Sequence, residues 1–239
     1  MSAEQKQRAY YERTATVYDD WHEEPEHPFA LAHVVRYLEW LNAETVLDTG
    51  CGTGRAMLYI RDQLPKLRLR GNDPSEALLD VAVKNGIARE DLDVCGSERL
   101  PYPDESFDVA IAVAVMHHVR SPEPIIAEML RVARLAVFIS DGNIYGQGRM
   151  PARVLKLLLA RARLLNTVNW VRRGGKLWHE SEGDGIAYSY SVFDSFGQLN
   201  QACKQVLVIP TSGDREAGRN PLLHARQALA CGFKVPLPT

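Results

Sequence analysis

Three clusters in this 239-residue chain combine residue types and spacings that suit chemistry. The first is Asp48-Thr49-Gly50-Cys51-Gly52-Thr53-Gly54. Glycines let the backbone turn sharply and approach a ligand, and a helix that follows offers unpaired N–H groups. The pattern is GxGxG behind an acid, not the GxGxxG that seats a pyrophosphate. A carboxylate at Asp48 repels pyrophosphate but can hold a cationic amino-acid end, directly or through water. A tight strand-to-helix turn without a ligand would use the same glycines. The second cluster is Gly71-Asn72-Asp73-Pro74-Ser75. At the end of a strand, Asp73 can accept from both hydroxyls of a ribose, and it can equally cap a helix. The third is Met116-His117-His118, with Asp141 at the end of a later apolar run. A histidine titrates near neutrality, so it can remove a proton while a carboxylate orients it. The competing reading has one histidine capping a helix and the other packed or exposed. His117 is the preferred base.

The elements that must position these clusters alternate. Residues 5–21 read as a helical lead-in rich in aromatic residues, and 28–42 as an amphipathic helix. Strands are expected at Thr45–Asp48, Leu67–Asp73, Leu92–Cys95, Phe107–Ala114 and Leu135–Ser140. Helices are expected between them at Arg55–Gln63, Ser75–Asn85 and Glu123–Val132. Such alternation implies right-handed crossovers and a mainly parallel sheet covered on both faces. After Asp141 the rhythm breaks. A basic, apolar-rich stretch at 148–180 precedes a helix at Asp194–Ala202 and strands at Gln205–Ile209 and Leu222–Gln227. The expected architecture is one domain over 1–239, with a helical lead-in at 1–43 and a helical lid or substrate insertion at 148–190.

Composition narrows the function. Formal net charge is −2 with 24% charged residues, which argues against an obligate nucleic-acid binder. Cys51, Cys95, Cys203 and Cys231 show no CxxC spacing, so no metal site or disulfide framework is expected. No apolar run approaches the roughly 18 residues of a spanning helix, and a cytoplasmic location is the default expectation.

Four segments in order resemble the class I S-adenosylmethionine-dependent methyltransferases, in the small-molecule branch with a type 11 domain. They are YYERTATVYDDW (10–21), VLDTGCGTG (46–54), GNDPSEALLDVA (71–82) and SERLPYPDESFDVAIAVAVMHHV (97–119). The resemblance implies a Rossmann-like α/β fold, a mainly parallel seven-stranded sheet with an antiparallel last strand. It implies S-adenosylmethionine as cofactor. Asp48, Thr49, Gly50, Cys51 and Gly52 would line its methionine end, and Asp73 would hold the ribose. Pro74, Ser97 and Glu98 would border the adenine, Val113 and Met116 would flank the sulfonium, and Tyr11 and Tyr18 would close the site. His117 or His118 with Asp141 would match the histidine–aspartate pair of some sugar O-methyltransferases. Two departures stand out. Gly96 occupies a position where many relatives carry an adenine-binding aspartate, leaving Glu98 or a water as acceptor. No Pro-Gly-Gly turn precedes the fifth strand.

Residues 149–179 contain eight Lys or Arg and no acid, interleaved with Val154, Leu155, Leu158, Leu159, Leu164, Leu165 and Trp170. That pattern suits a packed lid helix with a solvated basic face, or a lid that attracts phosphate. The leading expectation is methylation of a hydroxyl on a sugar or secondary metabolite, an acceptor that could carry phosphate. A quinone-type C-methyltransferase, a tRNA-modifying methyltransferase and a non-catalytic cofactor-binding regulator are the alternatives. No stable nucleic-acid complex is expected, and the spacing of the loop disfavours a nicotinamide oxidoreductase.

Overall fold

The computed structural model describes residues 3–19, 26–181 and 183–236; Asp20 and Trp21, the end of the lead-in motif, lie outside them. Helices α1 (Ala3–Thr14) and α2 (Glu26–Trp40) precede the sheet. Then come β1 (Thr45–Thr49), α3 (Arg55–Gln63), β2 (Arg68–Asp73), α4 (Glu76–Lys84), β3 (Leu92–Val94) and β4 (Phe107–Val113). A one-turn 3-10 helix, Met116–His118, leads to α5 (Glu123–Val132) and β5 (Ala133–Gly142). Helix passes into strand without an intervening turn residue, which explains the missing Pro-Gly-Gly.

The insertion contains α6 (Met150–Arg161), α7 (Leu165–Arg172) and an antiparallel hairpin of β6 (Trp178–Ser181) and β7 (Gly185–Tyr188). The chain ends with α8 (Phe196–Ala202), β8 (Gln205–Gly213), α9 (Pro221–His224) and β9 (Ala225–Phe233). The last strand therefore begins after the expected Leu222, because Pro221 starts a helical turn that takes up Leu222 and Leu223.

Seven strands form one sheet in the order β3-β2-β1-β4-β5-β9-β8. All pairs from β3 to β5 are parallel, and β9 runs antiparallel between β5 and β8. This is the Rossmann-like methyltransferase fold expected from the sequence. Successive side chains leave a strand on opposite faces, and the core divides accordingly. Val46, Val109, Ile111, Ala136 and Phe138 pack under α2 and α3 with Leu38 and Ile60. Leu47, Ala110, Ala112, Val137 and Ile139 pack under α5 and α8 with Ile126, Met129 and Leu199. Strand order reverses between β1 and β4, and ligands of open α/β sheets bind outside the carboxyl ends of strands at such a switch point.

Candidate active site

At that edge β1 passes into the glycine loop, where Gly50, Gly52 and Gly54 have φ of 71°, 52° and 80°. Only glycine adopts this left-handed region without strain. At Gly50 sterics add a second demand, since a Cβ would sit 2.8 and 2.9 Å from the γ carbons of Val115. The loop is tied to β2 by Gly50 N and Cys51 N, which donate to Asn72 O at 2.8 and 3.0 Å. Asp73 accepts from Gly52 N at 3.1 Å and from Ser75 N at 2.8 Å. The lead-in clasps the same loop: Asp19 accepts from Thr53 Oγ1 at 2.6 Å and from Asn85 Nδ2 at 3.1 Å.

These segments enclose a cavity of about 900 Å³, large enough for a nucleoside-sized cofactor beside a small acceptor. Of the residues expected on the cofactor, Tyr11, Tyr18, Asp48, Gly50, Cys51, Gly52, Asp73, Pro74, Ser97, Glu98 and Val113 line it. Thr49 and Met116 do not: Thr49 is fully buried in the sheet, and Met116 packs into the core with Ile125 and Ile126. Among the candidate catalytic residues only His118 reaches the wall, while His117 and Asp141 lie behind it.

Electrostatics mark the floor of the cavity. Asp48 is buried, and its Oδ2 has no hydrogen-bond partner among the described residues. Burial, with the nearby charge of Asp73, pushes its pKa up to about 7. Burial likewise raises Asp73 to about 6, against the pull of its two backbone donors. A buried carboxyl that lacks a partner is costly unless a ligand supplies one, and a cation supplies the strongest. Over the other end, Glu98 folds back so that its Oε2 lies 2.7 Å from where a Cβ on Gly96 would be. The carboxylate of Glu98 thus fills the space that an acid at position 96 would need.

The histidine pair belongs to a four-residue cluster. Asp141, 1% exposed, accepts from Met116 N, His117 N and Gly142 N at 2.9, 3.3 and 2.6 Å and so fixes the 3-10 turn. His117 Nδ1 lies 2.8 Å from Asp141 Oδ1 and its Nε2 3.2 Å from Asp184 Oδ2. Burial pulls the His117 pKa down, but the two carboxylates outweigh it and push it up to about 10. Both His117 nitrogens face carboxylates, which favours its charged form and leaves it no free nitrogen to act as a base. Of the two histidines, only His118 lines the cavity. His118 Nδ1 is 2.7 Å from the carbonyl of Ile186, an acceptor only, so Nδ1 carries a proton. Its Nε2 is buried 3.2 Å from Asp184 Oδ1, without hydrogen-bond geometry. The ligand-type atoms of His117, His118 and Asp184 lie within 4.8 Å of one another, close enough for a metal ion.

Asp184 is the chief residue that sequence reasoning missed. It sits at the turn of the β6–β7 hairpin, which Gln7 of α1 holds in place. Gln7 Nε2 donates to Asp184 O at 3.3 Å, and its Oε1 accepts from Ile186 N at 2.5 Å. The available signal was Gly183-Asp184-Gly185 between two short runs that carry aromatic residues, a hairpin turn signature. Arg120, Ile186 and Tyr188 also line the cavity beside His118.

Comparison with known proteins agrees with this geometry. Residues 47–137 match the family model described as a methyltransferase domain. Fold, glycine loop and match together support a class I S-adenosylmethionine-dependent methyltransferase family for the chain. More particularly, it is 29% identical over 137 residues to a phosphatidylethanolamine N-methyltransferase of Cereibacter sphaeroides, covering 52% of this chain and 62% of the relative. It is 26% identical over 112 residues to an uncharacterized methyltransferase of Schizosaccharomyces pombe, covering 43% and 40%. The match thus spans roughly half the length of these relatives. The magnesium protoporphyrin IX methyltransferase of Synechocystis PCC 6803, solved with bound SAH, shares the fold. Its TM-score is 0.64 at 15% identity, over 98% of this chain and 100% of that one. The partnerless Asp48 and the open, glycine-lined turn fit the cationic amino-acid end of the family's cofactor.

Proposed function

We propose that this protein transfers a methyl group from S-adenosylmethionine to a hydroxyl of a small molecule, with a sugar or secondary metabolite as the class of acceptor. The observation that carries the reading is His118, which borders the cavity with its Nδ1 fixed on the Ile186 carbonyl and its Nε2 3.2 Å from Asp184 behind the wall. When bound, the cofactor supplies a methyl group on a positively charged sulfur. Asp48 holds its amino group, Asp73 its ribose, and Glu98 accepts from its adenine amino group in place of the missing acid at 96. Tyr11 and Tyr18, whose rings meet edge-on at 5.8 Å, cover the site from the lead-in and exclude water.

A hydroxyl is a weak nucleophile until its proton departs, and His118, the histidine at the cavity wall, is the residue that receives it. Asp184, 3.2 Å away, stabilises the resulting imidazolium. His117 and Asp141 are positioning residues: the charged His117 ring anchors Asp184, and Asp141 anchors His117. Arg120 at the same wall favours an acceptor that carries phosphate or carboxylate. Amine acceptors need no such base at neutral pH when they bind unprotonated, so the cluster favours oxygen.

Incubation with methyl-labelled cofactor and a panel of glycosides, phenols and amines, read by mass spectrometry, tests the assignment. Methyl ethers are the expected products. Transfer to amines alone, or to ring carbons alone, would overturn it.

A further inference from the structure

Helix α6 is inside out. It carries Met150, Val154, Leu155, Leu157, Leu158 and Leu159, yet it has no buried residue. Its basic side chains at 153 and 156, spaced i and i+3, turn toward the protein. Arg153 reaches Asp214 at 2.9 Å and the carbonyl of Leu223 at 3.0 Å. Lys156 donates to the carbonyls of Ile144 and Gln147 at 2.7 and 2.9 Å. Met150, Val154 and Leu158, spaced i, i+4 and i+8, form the opposite stripe with Leu155 beside it. They are 40, 40, 59 and 56% exposed. Helix α7, packed against α6, adds Trp170 at 50% and Val171 at 66% exposure. A contiguous apolar patch of this kind marks an interaction site, since water gains nothing from contact with it.

We propose that α6 and α7 dock this face on an anionic membrane surface, lying in the interface without crossing it. Charge complementarity selects that occupant. Arg149, Arg161, Arg163, Arg172 and Lys176 are exposed at the helix ends and the turn between them, and residues 149–179 contain no acid. Leucines enter the acyl boundary, Trp170 sits at headgroup depth, and the long basic side chains snorkel to lipid phosphates. A second copy is a poorer occupant, because a two-fold contact would set arginine against arginine. Single-stranded RNA stacks on aromatic rings, and an aliphatic stripe offers it few. This proposal is independent of the acceptor assigned above.

Co-sedimentation of the full chain with extruded vesicles tests it. Vesicles of phosphatidylcholine with phosphatidylglycerol should retain the protein, and phosphatidylcholine alone should retain far less. High salt should release it, and each exposed Arg or Lys replaced by Gln should weaken partition about fivefold. The paired change Leu155→Asp and Leu158→Asp should abolish binding while affinity for S-adenosylmethionine, measured by calorimetry, stays at the wild-type value. Absence of binding to phosphatidylglycerol vesicles, or binding that survives the paired change, would overturn the proposal. So would a dimer in sedimentation velocity that the same paired change dissolves. Wavelength of Trp170 emission, isolated by comparison with Trp170→Phe, gives a second readout: a blue shift with anionic vesicles supports docking, and no shift opposes it.

Discussion

Asp48→Asn should make the ligand-free protein more stable and the complex weaker. The carboxyl is 2% exposed, and its pKa rises from 3.8 to about 7 on folding. Below pH 3.8 both folded and unfolded states hold the proton, and the shift contributes nothing. As pH rises from there to about 7, the unfolded chain sheds its proton while the folded one keeps it, so stability falls. Above that the full penalty is present, about three pKa units or roughly 4 kcal/mol. Asparagine keeps the shape and removes the charge, but its amide also needs partners, which offsets about 1–3 kcal/mol. The net gain is about 1–3 kcal/mol at pH 8, or a melting temperature higher by about 2–10 °C for a chain of this size. Toward pH 4 the charge penalty all but disappears and the amide cost remains, so the gain should give way to a loss of about 1–3 kcal/mol. With cofactor the sign reverses. The cationic amino group loses a hydrogen bond to a charged acceptor worth about 1.5–3 kcal/mol, so Kd rises roughly 10- to 150-fold. Melting curves at both pH values, with and without S-adenosylmethionine, and calorimetric titration measure all four quantities. A ligand-free variant less stable than wild type at pH 8, or one with wild-type cofactor affinity, would refute the reasoning.

His118→Gln and Asp184→Asn should each lower turnover by about 10²–10⁴ while leaving cofactor Kd within about twofold; equal turnover would remove the pair from proton transfer. Dialysis against a chelator should leave turnover intact, because both His117 nitrogens already face carboxylates and His118 Nδ1 faces a carbonyl. Activity lost to the chelator and restored by zinc would instead make the cluster a metal centre. Glu98→Ala should weaken cofactor binding about tenfold, and adding Gly96→Asp should recover most of it, since the second acid then enters the vacated space. No recovery in the double variant would mean that Glu98 is not the acceptor. Gly50→Ala places a β carbon at φ 71° against Val115, and about 2 kcal/mol of strain should lower the melting temperature by about 4–8 °C.

The cofactor half of the site was legible because local rules place it. Asp48 and Asp73 lie at the carboxyl ends of adjacent parallel strands, and Asp73 is bound to the glycine loop and to the cap residue Ser75. Periodicity therefore gave their position, and the Gly-x-Gly spacing suggested the role proposed for them. Thr49 and Met116 show the limit of that inference. Each occupies a motif position, but strand alternation turns Thr49 into the sheet, and the 3-10 turn aims Met116 at α5. The last strand was hidden for another reason. Ala225–Phe233 is rich in alanine and buried between β5 and β8, so neither propensity nor alternation announces it, while Leu222 and Leu223 imitate a strand.

The remaining half could not be placed by any local rule. Asp184 meets His117 across 67 positions of sequence, and it does so only because Gln7 pins the hairpin from 177 positions away. The consequence is chemical. Without Asp184, His117 has one carboxylate partner and reads as an orientable base; with it, both nitrogens face carboxylates, and in the proposed mechanism proton removal passes to His118. One unrecognised hairpin turn thus changes which of two adjacent histidines is proposed as the base. Substituting Gln7 is the sharpest check on that chain of contacts. Gln7→Ala touches neither histidine, yet it should loosen Asp184, lower turnover in parallel with Asp184→Asn, and add little when the two are combined. Additive losses in the double variant would show that Gln7 and Asp184 act separately.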